Sequence, residues 1–537
     1  MLVAQLQNFL GANTLRNAKK LPEGVGTDAR NLDIRSADFR GILAPLAVYT
    51  ITGSIPQQIS LYRFGRDTPS DTATWLSTNV DADYARSMLS EDLTERTYIT
   101  KTGSIPKYTD TTLVGATPPL PVGLVDLGVP APAGAMTAAI NTAGTGPSET
   151  RVYLDVFKRA NGDRSAPNPG TTSITVPGGS TVNLSALAAV PGGAHGITLR
   201  EIYVFNGSGE FMRCVTQLAS LTTATDTGSR DLVLESGGST SRPTWLTPPD
   251  GLFGILEFIN GMMIAFLGKS YRCCVPYKPH AWPFEYERII PDTVVGGAVY
   301  GSTVVVLTTG TPRLVTGSTP YALNDSPLLT QFSGACRSKR GIKSVRHGVC
   351  WPTNDGLAYT GQYGTALITE ALLSKAAWRA LGPSTMLGAR WGRWYLCIYS
   401  TTQSFMIDPA NPTSIIWLDV GAYGAFEDPI SGDLYLIGAG NVISKFDAGA
   451  VMTASFTSPV QRTQRAVCPM WGRVLASAWP QTYKLYADGV LKHTEVVTSE
   501  EPFMMPGEYM ASNFQIQLSG PGPAEAAEAA TAIEDIR

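Results

Sequence analysis

Short β-branched and aromatic runs, cut roughly every 10–12 residues by Gly, Pro or Asn-Gly, fill residues 245–480. Val304-Val305-Val306-Leu307 is typical: it turns at Thr309-Gly310-Thr311-Pro312 and returns as Arg313-Leu314-Val315. Runs of this kind read as antiparallel strands joined by tight turns. Over so long a stretch they suit radial repetition better than one sandwich. A propeller also avoids the long open edges of a large sheet. Within this text, Gly251–Phe266 is the most apolar window, and Asn260-Gly261 marks it as a hairpin. It is too short, and too interrupted by Glu257, for a membrane span. Ser374–Arg379 reads as a short helical interlude, and Trp391–Tyr399 as a strong strand.

The flanking segments differ. Val25–Ile34, behind Pro22, predicts a few helical turns. Strands are expected at Leu46–Ile51, Ile59–Phe64, Ala73–Leu76 and Arg96–Thr100. Thr52–Pro56 recurs as Thr102–Pro106, a spacing within the size of a propeller blade, and chance is an equal explanation. Residues 111–150, rich in Pro, then Ala and Gly, read as a linker. About seven short strands with turn signals between 150 and 240, the last at Asp231–Leu234, match a fibronectin-type-III or immunoglobulin-like sandwich. Thr482–Tyr486, Val490–Val497 and Phe514–Leu518 form a last β unit, and the Ala/Glu-rich Ala524–Arg537 predicts a helix.

At 537 residues two to four domains are expected. Charged residues make up 16%, below the usual figure of about 25%. With 54 Gly and 37 Pro this suits a strand-and-turn chain with neutral polar surface. A net charge of −3 argues against a generally basic nucleic-acid binder. Seven cysteines without CxxC spacing read as buried free thiols rather than a zinc site or disulfide framework. The N-terminal text lacks a signal-peptide pattern, so folding in a cytoplasm is expected.

Candidate chemistry is sparse. His195, His280, His347 and His493 lie in separate segments without metal-ligand spacing, and His280 reads as a packed imidazole in a proline-aromatic corner. Asp355 with Glu370 is a conceivable glycosidase pair, although an Asp-Gly turn is the simpler use of Asp355. Arg337, Lys339, Arg340, Lys343 and Arg346 could contact phosphates, but no aromatic platform interleaves them, which favours an edge or interface patch. No catalytic, cofactor-binding or metal residue is assigned, and no cofactor is expected.

Three stretches resemble the tail nozzle, or tail tubular protein B-like, family of short-tailed bacteriophages. They are Leu21-Pro22-Glu23-Gly24 with Ala29–Asp33 and Leu43–Leu46; Asp92–Tyr98 with Pro106-Lys107 and Leu127–Pro132; and Pro279–Pro283 with Val306–Pro312, Cys336–Arg340 and Asp355-Gly356-Leu357. Leu485–Gly489 adds a C-terminal echo. The resemblance implies a non-enzymatic virion protein: a homohexameric ring below the tail adaptor, near fibres or spikes, that gates and conducts double-stranded DNA during ejection. Assembly in the bacterial host cytoplasm follows from it.

The expected architecture is all-β. Residues 1–40 form a helical or extended arm, and 41–145 and 246–480 form a β-propeller body. Residues 146–245 are an inserted immunoglobulin/fibronectin-III-like sandwich, and 481–537 a small C-terminal β unit with a helical tail. Two rival functions stay open: a host-receptor or glycan-binding tail propeller, which needs an exposed aromatic groove, and a polysaccharide depolymerase, which needs paired carboxylates in a cleft.

Overall fold

The structure, a computed structural model, describes residues 1–35, 38–52, 55–64, 74–90, 92–114, 123–170, 172–205, 210–231, 245–345, 347–362 and 364–536. It is all-β, and its body is a β-propeller. Among the described residues seven units make up the ring. Blade I is Ser60–Phe64 paired with Thr74–Thr78. Blade II holds Ala82–Arg86, Thr97–Lys101, Lys107–Thr109 and Val125–Asp126; blade III holds Phe253–Glu257, Met263–Leu267, Ser270–Cys273 and Glu287–Ile289. Blades IV, V and VI begin at Val294–Tyr300, Lys343–Val345 and Leu387–Trp391, and each is a four-stranded meander or opens one. Blade VII comprises Gly424–Glu427, Leu434–Ile437 and Val442–Lys445, and Leu46–Thr50 adds its outermost strand.

The first strand of each blade packs against the first strand of the next, from I through VII and back to I. The circle is therefore closed, and the N-terminal strand of blade VII ties its two ends together by backbone hydrogen bonds. Closure buries both faces of each blade, which is why the middle strands read as continuous apolar runs. Val304, Val305, Val306 and Leu307 are all fully buried, alternate side chains belonging to the cores on either side of blade IV. Turn chemistry sets the strand spacing. Asn260 (φ 55°) and Gly261 (φ 71°) hold the left-handed conformation between the first two strands of blade III, a conformation that Asn and Gly tolerate best.

The sandwich sits between blades II and III. A three-stranded sheet, ordered Thr137–Thr142, Thr181–Ser185, Ala224–Asp226, faces a four-stranded one, ordered Thr172–Pro177, Ser148–Arg159, Ile197–Phe205, Met212–Leu218. Tyr153, Val182, Leu184 and Ile202 fill the space between them. The alternate residues Leu154, Val156 and Tyr203 enter a second cluster with Phe253, Phe266 and Trp245. The four-stranded sheet therefore buries both faces, one in its own core and one on the propeller.

Several expected elements differ. The helical turns predicted within Val25–Ile34 are replaced by the strand Asp28–Arg30, which pairs with Ala454–Thr457 and, through Arg30, with Trp417. The predicted C-terminal helix is instead the strand Ala524–Ala530, paired between Leu2–Leu6 and Trp471–Ala476. Two flanking strands satisfy its backbone, and its buried alanines let the layers close up, which overrides a weak helix preference. The Ala-rich half of the predicted linker contains the strand Thr137–Thr142, whose mostly exposed side chains give little periodic signal; Pro118, Pro119 and Pro121 lie outside the described residues. The run Trp391–Tyr399 is split by a turn at Gly392-Arg393. Thr102–Pro106 joins two strands of blade II, whereas Thr52, Ile55 and Pro56 lead from blade VII to blade I, so the two copies are not blade equivalents; Gly53 and Ser54 lie outside the described residues, as do residues 232–234 of the last predicted sandwich strand. Ser374 caps the one predicted helical interlude, Lys375–Ala380, by accepting from the Ala377 amide.

The outer strand of blade VI continues through Asp28–Arg30 into Ala454–Thr457, Ala511–Gly520, Gln481–Ala487 and Val490–Val497, forming one ten-stranded sheet. The C-terminal β unit is thus an extension of a blade, and one apolar cluster runs from Phe9 and Phe39 through Leu396 to Phe456 and Leu518. Among the described residues no helix is long and apolar enough to cross a membrane.

Candidate functional site

Two polar assemblies stand out: one on the propeller axis, one at the joint with the sandwich. The axial assembly begins with a 3-10 turn, Lys339–Gly341, that leads into the first strand of blade V. Lys339 Nζ lies 2.9 Å from Asp81 Oδ2 and 2.7 Å from Asp83 Oδ2. Asp83 also accepts from the Gly254 amide at 2.7 Å, linking blades II, III and V. Burial raises the Asp83 pKa despite Lys339 beside it. For Lys339 burial works downward, and the two carboxylates outweigh it, so its pKa is raised. Arg340 reaches the other side of the axis and donates to the carbonyls of Ile59, at 2.8 Å, and Tyr423.

Lys343 follows on the same strand. It lines two adjoining cavities of ≈ 320 Å³ and ≈ 160 Å³, and together these touch the first strands of all seven blades. Burial lowers the Lys343 pKa, Glu427 opposes that, and Arg390 adds to it. Glu427 is itself occupied by Arg390 Nε at 2.6 Å.

At the joint, Asp163 of the sandwich meets Arg96 of blade II at 3.3 Å, Arg159 of the sandwich at 3.4 Å and His280 of the propeller at 3.2 Å. Burial alone would raise the Asp163 pKa; His280, Arg96 and Arg159 outweigh it and hold the carboxyl well below its ordinary range. Arg159 also donates to the carbonyls of Leu127 and Gly128, at 3.1 and 2.8 Å, and so grips the connecting chain. Both guanidinium groups lie over the Tyr108 ring, at 5.5 and 5.2 Å.

The sequence-level candidates are distributed differently from expectation. The basic run is no edge patch: Lys339, Arg340 and Lys343 enter the axis, Arg337 is exposed, and Arg346 lies outside the described residues. Their partners Asp81 and Asp83 are more than 250 positions away in the chain, so no local motif could announce the cluster. His280 is packed in its corner, where Trp282 donates to the Pro279 carbonyl at 2.7 Å, but it also has the Asp163 partner. His195 and His493 stand beside other carboxylates, Asp126 and Glu495, and His347 is exposed. Asp355 is held by Arg379 at 2.7 Å and Lys375 at 3.3 Å on the surface. Six cysteines are buried, and burial pushes the thiols of Cys214, Cys273 and Cys336 up to about 12.

One surface groove was not anticipated. Arg35, Trp391, Gly392, Arg393, Trp394 and Gly432 line an open cavity of ≈ 480 Å³. Arg35 lies over Trp391 at 4.9 Å and Arg393 over Trp394 at 4.6 Å. Trp391 is half-buried there, whereas Trp394, like Trp282 and Trp351, is buried.

No family model matches the chain, and no curated protein sequence matches it. Among solved structures it is similar to the Neurospora crassa Pan2 WD40 domain, at 6% identity over 51% of this chain and 86% of that one, with a TM-score of 0.27. It is similar to AztD from Citrobacter koseri, at 13% identity over 70% and 98%, TM-score 0.26. BamB from Moraxella catarrhalis matches at 9% identity over 69% and 99%, TM-score 0.26. Similarity this low carries no functional argument, and the propeller assignment rests on the closed circle of sheets in this chain itself.

Proposed function

We propose that this chain is a structural virion protein, one subunit of the distal tail nozzle of a short-tailed bacteriophage. Six copies form a ring below the adaptor that gates and conducts double-stranded DNA during ejection, with tail fibres or spikes as neighbours. The ring is assembled in the host cytoplasm and catalyses nothing. The observation that carries this reading is mechanical. Propeller, sandwich and C-terminal unit are tied into one body by a shared sheet, a shared apolar layer and the buried Asp163 joint. Segments that resemble the nozzle family contribute to such joints: Pro279–Pro283 through His280 at Asp163, and Ala29–Asp33 through Ala29 and Arg30 in the ten-stranded sheet; Cys336–Arg340 supplies Lys339 and Arg340 to the axis.

The axial cavities of one copy are far too small for a duplex, whose major groove alone is about 12 Å wide. In this reading the DNA path therefore runs between copies. Its wall is near-neutral or acidic, because fixed Lys and Arg would displace counterions and hold the phosphates. Electron microscopy of the full chain, alone and with its adaptor ring, tests the assembly. Sixfold rings with a central opening are expected; a protein that stays monomeric under both conditions, or a lumen lined mainly by Lys and Arg, overturns it.

The Arg35–Trp391–Arg393–Trp394 groove favours a second reading, a glycan-binding tail protein. Binding on a glycan array that Trp391→Ala abolishes would establish it, and no binding by the wild-type chain would remove it.

A further inference from the structure

The charges on the propeller axis do not balance. The two axial cavities are lined by three cations, Lys339, Arg340 and Lys343, and two carboxylates, Asp81 and Asp83, leaving one positive charge in excess. Lys339 is taken by both carboxylates, and Arg340 by two backbone carbonyls. The nearby Glu427 is taken by Arg390. Lys343 Nζ alone among these cations has no hydrogen-bond or ion-pair partner among the described residues, and Lys343 lines both cavities. A half-buried ammonium without a partner is costly, and an anion beside it recovers that cost with a charge-assisted hydrogen bond.

We propose that the axial cavity is a binding site for one compact oxyanion, inorganic phosphate or the carboxylate of a small organic acid, held by Lys343. A single negative charge neutralises the excess, and ≈ 320 Å³ is room for a small acid but not a polymer. The ligand would touch the innermost strands and stiffen the ring from its centre. Binding stabilises the folded chain by mass action and therefore shows as a raised melting temperature.

The test uses the full chain. Thermal unfolding and calorimetric titration are run with phosphate and with acetate against chloride at equal ionic strength, for wild type, Lys343→Met and Lys375→Met. Lys375 is a surface lysine paired with Asp355 and serves as the control. Either oxyanion should raise the melting temperature of wild type and Lys375→Met and bind Lys343→Met about tenfold more weakly, the value of one charge-assisted hydrogen bond. Phosphate acting alone, or acetate acting alone, identifies the source. An equal response from Lys343→Met, or none from wild type, overturns the proposal. Should Lys343→Met not fold, acetic anhydride labelling of the wild-type chain decides. Phosphate must slow acetylation of Lys343 and leave Lys375 unchanged; equal reaction at Lys343 with and without phosphate, or none, overturns the site.

Discussion

Asp163 and Glu201 are sandwich carboxylates kept ionised against burial. Asp163→Asn leaves Arg96 and Arg159 without their counter-charge in a buried joint. A loss of roughly 3–5 kcal/mol is expected, read from urea unfolding midpoints. Glu201 accepts from Arg164 at 2.6 Å, Lys158 at 2.9 Å and Tyr203 at 2.8 Å with its side chain fully buried. Burial would raise its pKa; these donors outweigh it and hold the carboxyl at about 2, below the usual 4.5. A group depressed in the folded state contributes fully above its unfolded pKa. Its contribution, about 3 kcal/mol, is therefore present at neutral pH and lost as pH falls from about 4.5 towards 2. Glu201→Gln should accordingly be less stable than wild type at pH 7, and the gap between the two denaturation curves should narrow at pH 3.

At the scale of elements, turns decide where strands stop, and two glycines of blade III separate conformation from space. Gly261 and Gly268 both have positive φ, 71° and 57°. A Cβ at Gly268 meets nothing within 4 Å, whereas one at Gly261 comes within 2.5 Å of the Tyr277 ring. Gly268→Ala should cost about 1–2 kcal/mol, the left-handed penalty alone. Gly261→Ala should cost that plus about 1–3 kcal/mol of overpacking, a difference visible in thermal unfolding of the two variants. Hairpins such as this one were legible because Asn-Gly and Thr-Gly-Thr-Pro fix backbone angles locally. The strand Ala524–Ala530 was not: its alternatives differ by tenths of a kcal/mol per residue in propensity, and strands hundreds of residues away settle the matter.

For the whole molecule, shared sheets predict shared unfolding. The N-terminal segment, blade VI and the C-terminal unit lie in one ten-stranded sheet over one apolar cluster, so calorimetry should find them melting together. The sandwich has its own core and joins the propeller through one apolar face and the Asp163 cluster. Asp163→Asn should therefore split off a separate, earlier sandwich transition; a single unshifted peak would show that the joint adds nothing. The candidate axial site belongs to this scale as well. Its basic half, Lys339-Arg340 and Lys343, is contiguous and was visible as a run. Its acidic half comes from the other end of the ring, and ring closure alone places Asp81 and Asp83 against Lys339. By itself the sequence determined what nearest neighbours along the chain control: strands, turns, the all-β class and the sandwich as a separate run of short strands, because backbone angles and side-chain alternation are local properties. Only the tertiary structure decided the number of blades, the strand that closes them, the fate of both chain ends and which charges meet on the axis. Those depend on contacts between segments far apart in sequence, and nothing local encodes their pairing.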